Sequence, residues 1–232
     1  MRSFDYIESG KTLLTPHTTS LLAAIHEAKG RQSIQTTIRP DILGTLVAVA
    51  RIQSTDASNR IEGISTSDSR LNDLVSEKVT PRNRNEEEIA GYRDALSVIH
   101  ESHDYIPITP NVILQLHRDL FRHTPLTFAG HFKDSDNVII ERDAHGTSTV
   151  RFAPPSALVT PELIERACSA YTQAIRDGHT DPLLAIAMFI LDFTCIHPFN
   201  DGNGRMSRLL TLLMLCRNGY MVGKYISIEH LI

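Results

Sequence analysis

Most of the chemistry legible in this 232-residue chain lies in one run, His197-Pro198-Phe199-Asn200-Asp201-Gly202-Asn203-Gly204-Arg205, with Arg208 one helical turn further on. The His197 imidazole can take a proton from a hydroxyl near neutral pH. Asp201 offers a hard oxygen suited to Mg²⁺ shared with phosphate. Gly202 and Gly204 admit backbone conformations that other residues avoid, so a turn here can aim several N–H groups at one spot. A helix beginning at that turn adds partial positive charge to the same place. Arg205 and Arg208 lie on one face of its first turns, where a cation is disfavoured by roughly 0.3–1 kcal/mol when exposed. Both therefore call for an anionic partner, and a polyphosphate supplies one. Base, metal ligand and phosphate cradle together match phosphoryl or nucleotidyl transfer, in which positioning and charge stabilisation dominate. The run is neither an EF-hand calcium loop, whose closing Glu it lacks, nor the Gly-x-x-x-x-Gly-Lys phosphate loop.

A second constellation is Ser58-Asn59-Arg60-Ile61-Glu62-Gly63. Glu62 falls at the expected C-terminus of a helix, where the dipole disfavours a carboxylate, so a cation is expected beside it. Ser58, four residues earlier, shares its face. Taken alone, the pair reads as a surface serine and glutamate with Gly63 as the helix cap.

The elements that must hold these residues are mostly helical. Thr109-Pro110, Thr160-Pro161 and Asp181-Pro182 each place a capping side chain before a proline suited to the first helical position. Gly178 and Gly219 mark stops. An apolar helix over 183–195 should lead into the loop, and a second over 205–216 should lead out, so the turn between them is held rigidly. Residues 41–61 carry Ile42, Leu46, Val49, Ile52 and Ile61 at largely helical spacing, interrupted by the polar run 55–59. The β-prone runs 137–141 and 148–152, on either side of 143–146, predict a hairpin.

Composition bounds the rest. With 41% hydrophobic and 22% charged residues the chain can bury a core, and a net charge of −4 argues against a large nucleic-acid footprint. Cys168, Cys195 and Cys216 read as buried free thiols in a reducing compartment. No signal peptide opens the chain, and no apolar run is long enough to span a bilayer. The expectation is a soluble, cytoplasmic protein without a membrane partner.

The run 197–205 with Arg208 resembles the signature of Fic-domain proteins, His-Pro-Phe-x-Asp/Glu-Gly-Asn-Gly-Arg, at every defined position. The resemblance implies a mainly α fold, a compact helical bundle with a small β-hairpin flap. It implies an enzyme, a protein adenylyltransferase that moves AMP from ATP onto a Tyr, Ser or Thr hydroxyl of a target protein. By that resemblance His197 is the catalytic base and Asp201 the Mg²⁺ ligand. Asn200, Asp201, Gly202, Asn203, Gly204, Arg205 and Arg208 bind the nucleotide, Arg208 at the γ-phosphate. The hairpin at about 137–152 resembles the flap that docks the target by strand pairing.

Ser58-x-x-x-Glu62-Gly63 is similar to the inhibitory motif of the family, placed N-terminal to the signature. There Glu62 would pair with Arg208 and hold the place of the γ-phosphate, an autoinhibited arrangement. The implied division is an N-terminal helical region over 1–105, a catalytic core over 106–226, and the start of a truncated C-terminal helix over 227–232. The segment 16–39 resembles the N-terminal extension of such proteins. Lys133 stands where the family often has Arg, and His131 and His145 near the flap are read as solvated loop residues. Alternatives at the same site are phosphotransfer, as in a branch with Lys in place of Gly204, removal of AMP, or a non-enzymatic nucleotide-sensing regulator. The number of subunits is left open, a homo-oligomer included.

Overall fold

The computed structural model describes residues 4–38, 40–142, 146, 148–176 and 178–231. Arg39, Asp177 and the expected turn residues 143–145, His145 among them, lie outside the described residues. The chain is mainly α: α1 (Tyr6–Leu13), α2 (Pro16–Ile38), α3 (Pro40–Ile61), α4 (Asp68–Val75), α5 (Arg84–Ser102) and α6 (Pro110–Leu120) come first. A hairpin of β1 (Ile139–Arg142) and β2 (Ser148–Phe152) follows, then α7 (Thr160–Arg176), α8 (Pro182–Ile196), α9 (Asn203–Arg217) and α10 (Val222–Tyr225).

Local chemistry accounts for several boundaries. Thr109 accepts a hydrogen bond from Val112 N at 3.4 Å and Asp181 from Leu183 N at 2.9 Å, each with proline at the first helical position. Asn83 caps α5 in the same way, through Glu86 N at 3.0 Å. Thr160 differs from expectation. A 3-10 turn, Ala157–Val159, runs directly into α7, so Thr160 is already helical and donates its hydroxyl back to Ser156 O at 2.9 Å.

The core sits around α8 and α9, joined by the loop 197–202. Leu184, Ala185, Met188, Phe189 and Phe193 of α8 meet Met206, Leu209, Leu210 and Leu213 of α9, all buried. Burying each of the larger side chains stabilises the fold by roughly 1.5–3 kcal/mol, which fixes the two helices that bracket the loop. From α6, Ile113, Leu116 and Leu120 join the same cluster, and from α7 Leu163, Ile164, Ala167 and Tyr171. Their spacing is that of one helical face. A smaller cluster of Leu71, Leu74, Val75 and Ile89 ties α4 to α5.

α3 corrects the sequence reading. The polar run at 55–59 does not interrupt the helix, and it is the face turned inward: Ser54, Thr55, Ser58 and Asn59 are buried, whereas Ile42, Leu46, Val49 and Ile61 are exposed. Several of the inward polar groups find partners, although Thr55 Oγ1 and Asn59 Oδ1 are buried without one among the described residues. Asn59 Nδ2 donates to Thr55 O (2.7 Å), and Ser54 Oγ donates to Glu229 Oε2 (2.9 Å) on the 3-10 turn Glu229–Leu231. Gly63, at φ 76°, ends the helix immediately after Glu62, its N–H donating to Arg60 O.

β1 and β2 pair antiparallel, with Ile140 opposite Val150 and a register irregularity at Ile139–Ile140. They form a two-stranded sheet whose strand β2 is exposed along its whole length. Cys168 and Cys216 are buried free thiols, pushed by burial to pKa values of about 12 and 11. Cys195, also free, is only partly buried. Among the described residues no helix is long and apolar enough to cross a membrane.

Candidate active site

The loop between α8 and α9 is built from the core outward. His197 closes α8 in a left-handed conformation, φ 51° and ψ 63°, its N–H donating to Phe193 O at 3.0 Å. Phe199 then inserts into the core, fully buried, with its ring stacked on that of His117 at 3.7 Å between centroids and 2° between planes. Asn203 satisfies both backbone groups of Phe199: its Oδ1 accepts from Phe199 N (3.0 Å) and its Nδ2 donates to Phe199 O (2.8 Å). Gly202 takes φ 80°, and a Cβ there would lie 2.9 Å from Phe121 Cε2, so the position admits only glycine without strain.

His117, unmarked by any sequence motif, holds the loop from beneath. Its Nδ1 accepts from Gly130 N at 2.9 Å, so the proton sits on Nε2, which donates to Asp201 O at 3.1 Å. Burial pushes its pKa down to about 4 and keeps the ring neutral. Lys133 anchors the other side. Its backbone N donates to Pro198 O (2.8 Å), and its Nζ to Ile196 O (3.2 Å) and Asn137 Oδ1 (3.0 Å). Lysine thus fills a structural post at the base of the hairpin. Asn137 Nδ2 in turn reaches Phe199 O at 3.4 Å, tying hairpin to loop. Asn200 is exposed and donates to Asp134 Oδ1, while His131 is exposed as read from the sequence.

His197 itself is half-buried at this junction. Burial lowers its pKa, offset in part by a hydrogen bond with the Thr194 backbone, so the ring is a neutral proton acceptor at physiological pH. Gly202 has no side chain with which to cap α9, which leaves the first-turn N–H groups of the helix without a capping partner.

Both arginines have the anionic partners the sequence required, but each partner belongs to the protein. Arg205, expected beside a phosphate, is 1% exposed: its Nη1 lies 2.6 Å from Glu88 Oε2, off the hydrogen-bonding direction, and its guanidinium packs 5.1 Å from the Phe121 ring centroid. It lies behind the loop because a buried carboxylate on α5 draws it there. Arg208 meets the inhibitory-type motif. Its Nε donates to Ser58 Oγ (2.7 Å), and its Nη2 to Ser58 O (2.8 Å) and Glu62 Oε1 (2.7 Å). The Glu62 carboxylate lies directly over Gly204, where any Cβ would run into it.

Ser58 continues inward. Its hydroxyl meets Tyr92, whose OH donates to Glu229 Oε1 at 3.2 Å, and Ser227 Oγ donates to Glu229 Oε2 at 3.0 Å. Burial and the neighbouring Glu229 charge drive the Tyr92 pKa upward, so Tyr92 stays a donor. α3, α5, α9 and the 227–231 segment therefore share one polar network.

Asp201 is 45% exposed at the mouth. Its Oδ1 accepts from Gly202 N (2.6 Å), and its Oδ2 lies 3.6 Å from Arg84 Nη2, another group that no motif announced. Among the described residues no group of three or more His, Cys, Asp or Glu side chains gathers as a metal cage. A lone exposed carboxylate beside an uncapped helix start nevertheless fits Mg²⁺, which takes few protein ligands and completes its shell with other oxygens and water.

This is a helical bundle in which a rigid Gly-rich loop opens a buried helix beneath a neutral histidine, with a hairpin alongside. Residues 107–215 match the model of the Fic/DOC family, and the chain carries a Fic/DOC family domain. It is 37% identical over 90 residues to a Fido domain-containing protein of Dictyostelium discoideum, covering 37% of this chain and 58% of that one. It is 28% identical over 145 residues to protein adenylyltransferase fic-1 of Caenorhabditis elegans, covering 59% of this chain and 25% of that protein. The chain thus spans little more than half of the first relative and a quarter of the second. A Fic domain containing signalling protein from Bacteroides thetaiotaomicron shares the fold, with a TM-score of 0.72 at 24% identity over 85% of this chain and 73% of that one.

Proposed function

We propose that this chain transfers AMP from ATP to a hydroxyl of a target protein and that Glu62 restrains it. The observation that carries the reading is the position of Glu62, clamped to Arg208 directly above Gly204 at the mouth of the loop. An anion there occupies the place that the nest and Arg208 would otherwise offer to a phosphate. The names of adenylyltransferase relatives support the same chemistry.

In the proposed reaction the target hydroxyl, docked along the hairpin, gives its proton to His197 as its oxygen attacks the α-phosphorus of ATP. The new O–P bond forms while the bond to pyrophosphate breaks, and pyrophosphate leaves with its own charge. The first-turn N–H groups of α9 and the Arg208 guanidinium hold the phosphate chain, and Arg205 adds its field from behind the loop. Asp201 would hold Mg²⁺ against the phosphate oxygens, where the ion neutralises charge. Gly204 suits AMP transfer, since the phosphotransfer branch of the family has a lysine there and holds the nucleotide in reverse, and the glycine also leaves room for Glu62.

The test is to supply ATP labelled at the α- or the γ-phosphate to wild type, Glu62→Gly and His197→Ala. AMP transfer requires protein-bound α-label that rises in Glu62→Gly and vanishes in His197→Ala. Retention of γ-label would show phosphotransfer instead. Nucleotide binding without any incorporation by Glu62→Gly would make the domain a sensor.

A further inference from the structure

Four side chains around the loop close a ring of alternating charge. Arg84 Nε donates to Glu88 Oε1 (2.8 Å), and Glu88 Oε2 lies 2.6 Å from Arg205 Nη1. Arg205 Nη2 lies 3.7 Å from Asp201 Oδ1, and Asp201 Oδ2 lies 3.6 Å from Arg84 Nη2. The two inner corners, Glu88 and Arg205, are buried, so neither can leave without stranding the other's charge. The two outer corners are open: the Arg84 side chain is 61% exposed and that of Asp201 is 45% exposed. Only on this side can the ring part.

Arg84 has one local partner, Glu88, an i,i+4 neighbour on α5, and otherwise sits against the local field. It is the first residue of α5, next to the Asn83 cap, where the helix dipole disfavours a cation. Its position is explained by the carboxylates it faces. Of the two oxygens of Asp201, Oδ1 accepts from Gly202 N, and Oδ2, the atom facing Arg84, is the one left more open to an ion.

We infer that Arg84 is a placeholder cation for the divalent metal: it neutralises Asp201 in the metal-free site and withdraws when the ion takes Oδ2. The inference rests on the reading of Asp201 as a metal ligand. A divalent ion sits about 2.0–2.1 Å from a carboxylate oxygen if it is Mg²⁺, and a guanidinium cannot share that oxygen's face. Arg84 stays tethered through Nε to Glu88, so withdrawal needs only its exposed outer nitrogens to turn toward solvent. Arg84 is thus a positioning residue that holds the Asp201 carboxylate ready and sets the metal concentration at which the site loads.

The experiment measures binding of a fluorescent ATP analogue in the Glu62→Gly background, titrated with Mg²⁺ and repeated in EDTA. Removing a repelling charge at this distance in a solvated site should lower the half-saturating Mg²⁺ for Arg84→Ala by about three- to tenfold. Arg84→Glu should lower it further, and Arg84→Lys should stay near the parent, an order set by charge that a merely structural role would not produce. Unchanged half-saturation in all three variants, against a parent that responds to Mg²⁺, overturns the inference alone. Weaker nucleotide binding by Arg84→Ala in EDTA also overturns it, making Arg84 a phosphate ligand. A parent whose binding ignores Mg²⁺ overturns the inference together with the metal reading of Asp201.

Discussion

Glu88 on α5 and Arg205 on α9 face each other at 2.6 Å with neither side chain reaching solvent. The two residues are far apart in sequence, and their pairing fixes the start of α9 against α5. Removing one partner would leave an uncompensated buried charge, which typically costs about 3–5 kcal/mol. Glu88→Gln should therefore lower the urea midpoint substantially, whereas the double change Glu88→Leu/Arg205→Met should recover much of the loss. A double variant as unstable as the single one would show that the charges themselves are not the origin of the cost.

The clamp on Arg208 has two parts that can be removed separately. The Glu62 ion pair, with a side chain 35% exposed, contributes up to about 1 kcal/mol, or roughly fivefold in AMP incorporation on release by Glu62→Gly. Ser58→Ala removes the hydroxyl that accepts from Arg208 Nε and should raise incorporation less than Glu62→Gly does. If Ser58→Ala left incorporation at the resting level, the serine would serve only the folding of α3.

Glu229 holds the inner end of the same network through Ser54, Tyr92 and Ser227. Glu229→Gln replaces a pure acceptor with a group that also donates, costing about 1–3 kcal/mol. It should loosen α3 and raise AMP incorporation above wild type while lowering the melting temperature. A drop in melting temperature at unchanged incorporation would disconnect the segment from the brake.

Acid should weaken the fold through two histidines before it touches the carboxylates. Burial lowers the pKa values of both His100 and His117 to about 4, below the ordinary 6.5. The unfolded chain therefore binds more protons between those values, and stability falls as pH drops from about 6.5 toward 4. Each contributes on the order of 3 kcal/mol over that window. Glu86, held down to about 2 chiefly by its hydrogen bond with Arg70, loses its contribution only below its ordinary value of 4.5. His100 has no hydrogen-bond partner for either ring nitrogen among the described residues and lies near Lys224, Arg51 and His103. His100→Leu should flatten the dependence of the urea midpoint between pH 7 and 5; an unchanged slope would remove His100 from this account.

The helix starts at Pro110 and Pro182 were readable because capping is a local event, decided within three residues. The turn at 197–205 was readable for the same reason, since the end of α8, the glycines and the start of α9 are consecutive. α3 was misread because polar residues within a helix suggest solvent. Ser54 and Ser58 instead face partners that come from α5, α9 and the 227–231 segment, and Asn59 bonds back to Thr55 O within α3. Arg205's need for an anion was legible, but not that Glu88, on a helix far upstream in sequence, would meet it. His117 and Arg84 gave no pattern, because the contacts that bring them to the loop, both with Asp201, span more than eighty residues.

If a target docks along the hairpin as proposed, the ribbon at 139–152 would filter what could be modified. A two-stranded ribbon presents main-chain N–H and C=O groups along its edges, and among protein partners an extended segment can pair with them in register. β2 spans about 17 Å, room for some five residues of a guest strand. A hydroxyl borne on a helix cannot lie along it, so acceptors would be confined to tails, loops and edges that can straighten. Because such pairing reads backbone more than side chains, local disorder in a target would decide its selection before any sequence motif did.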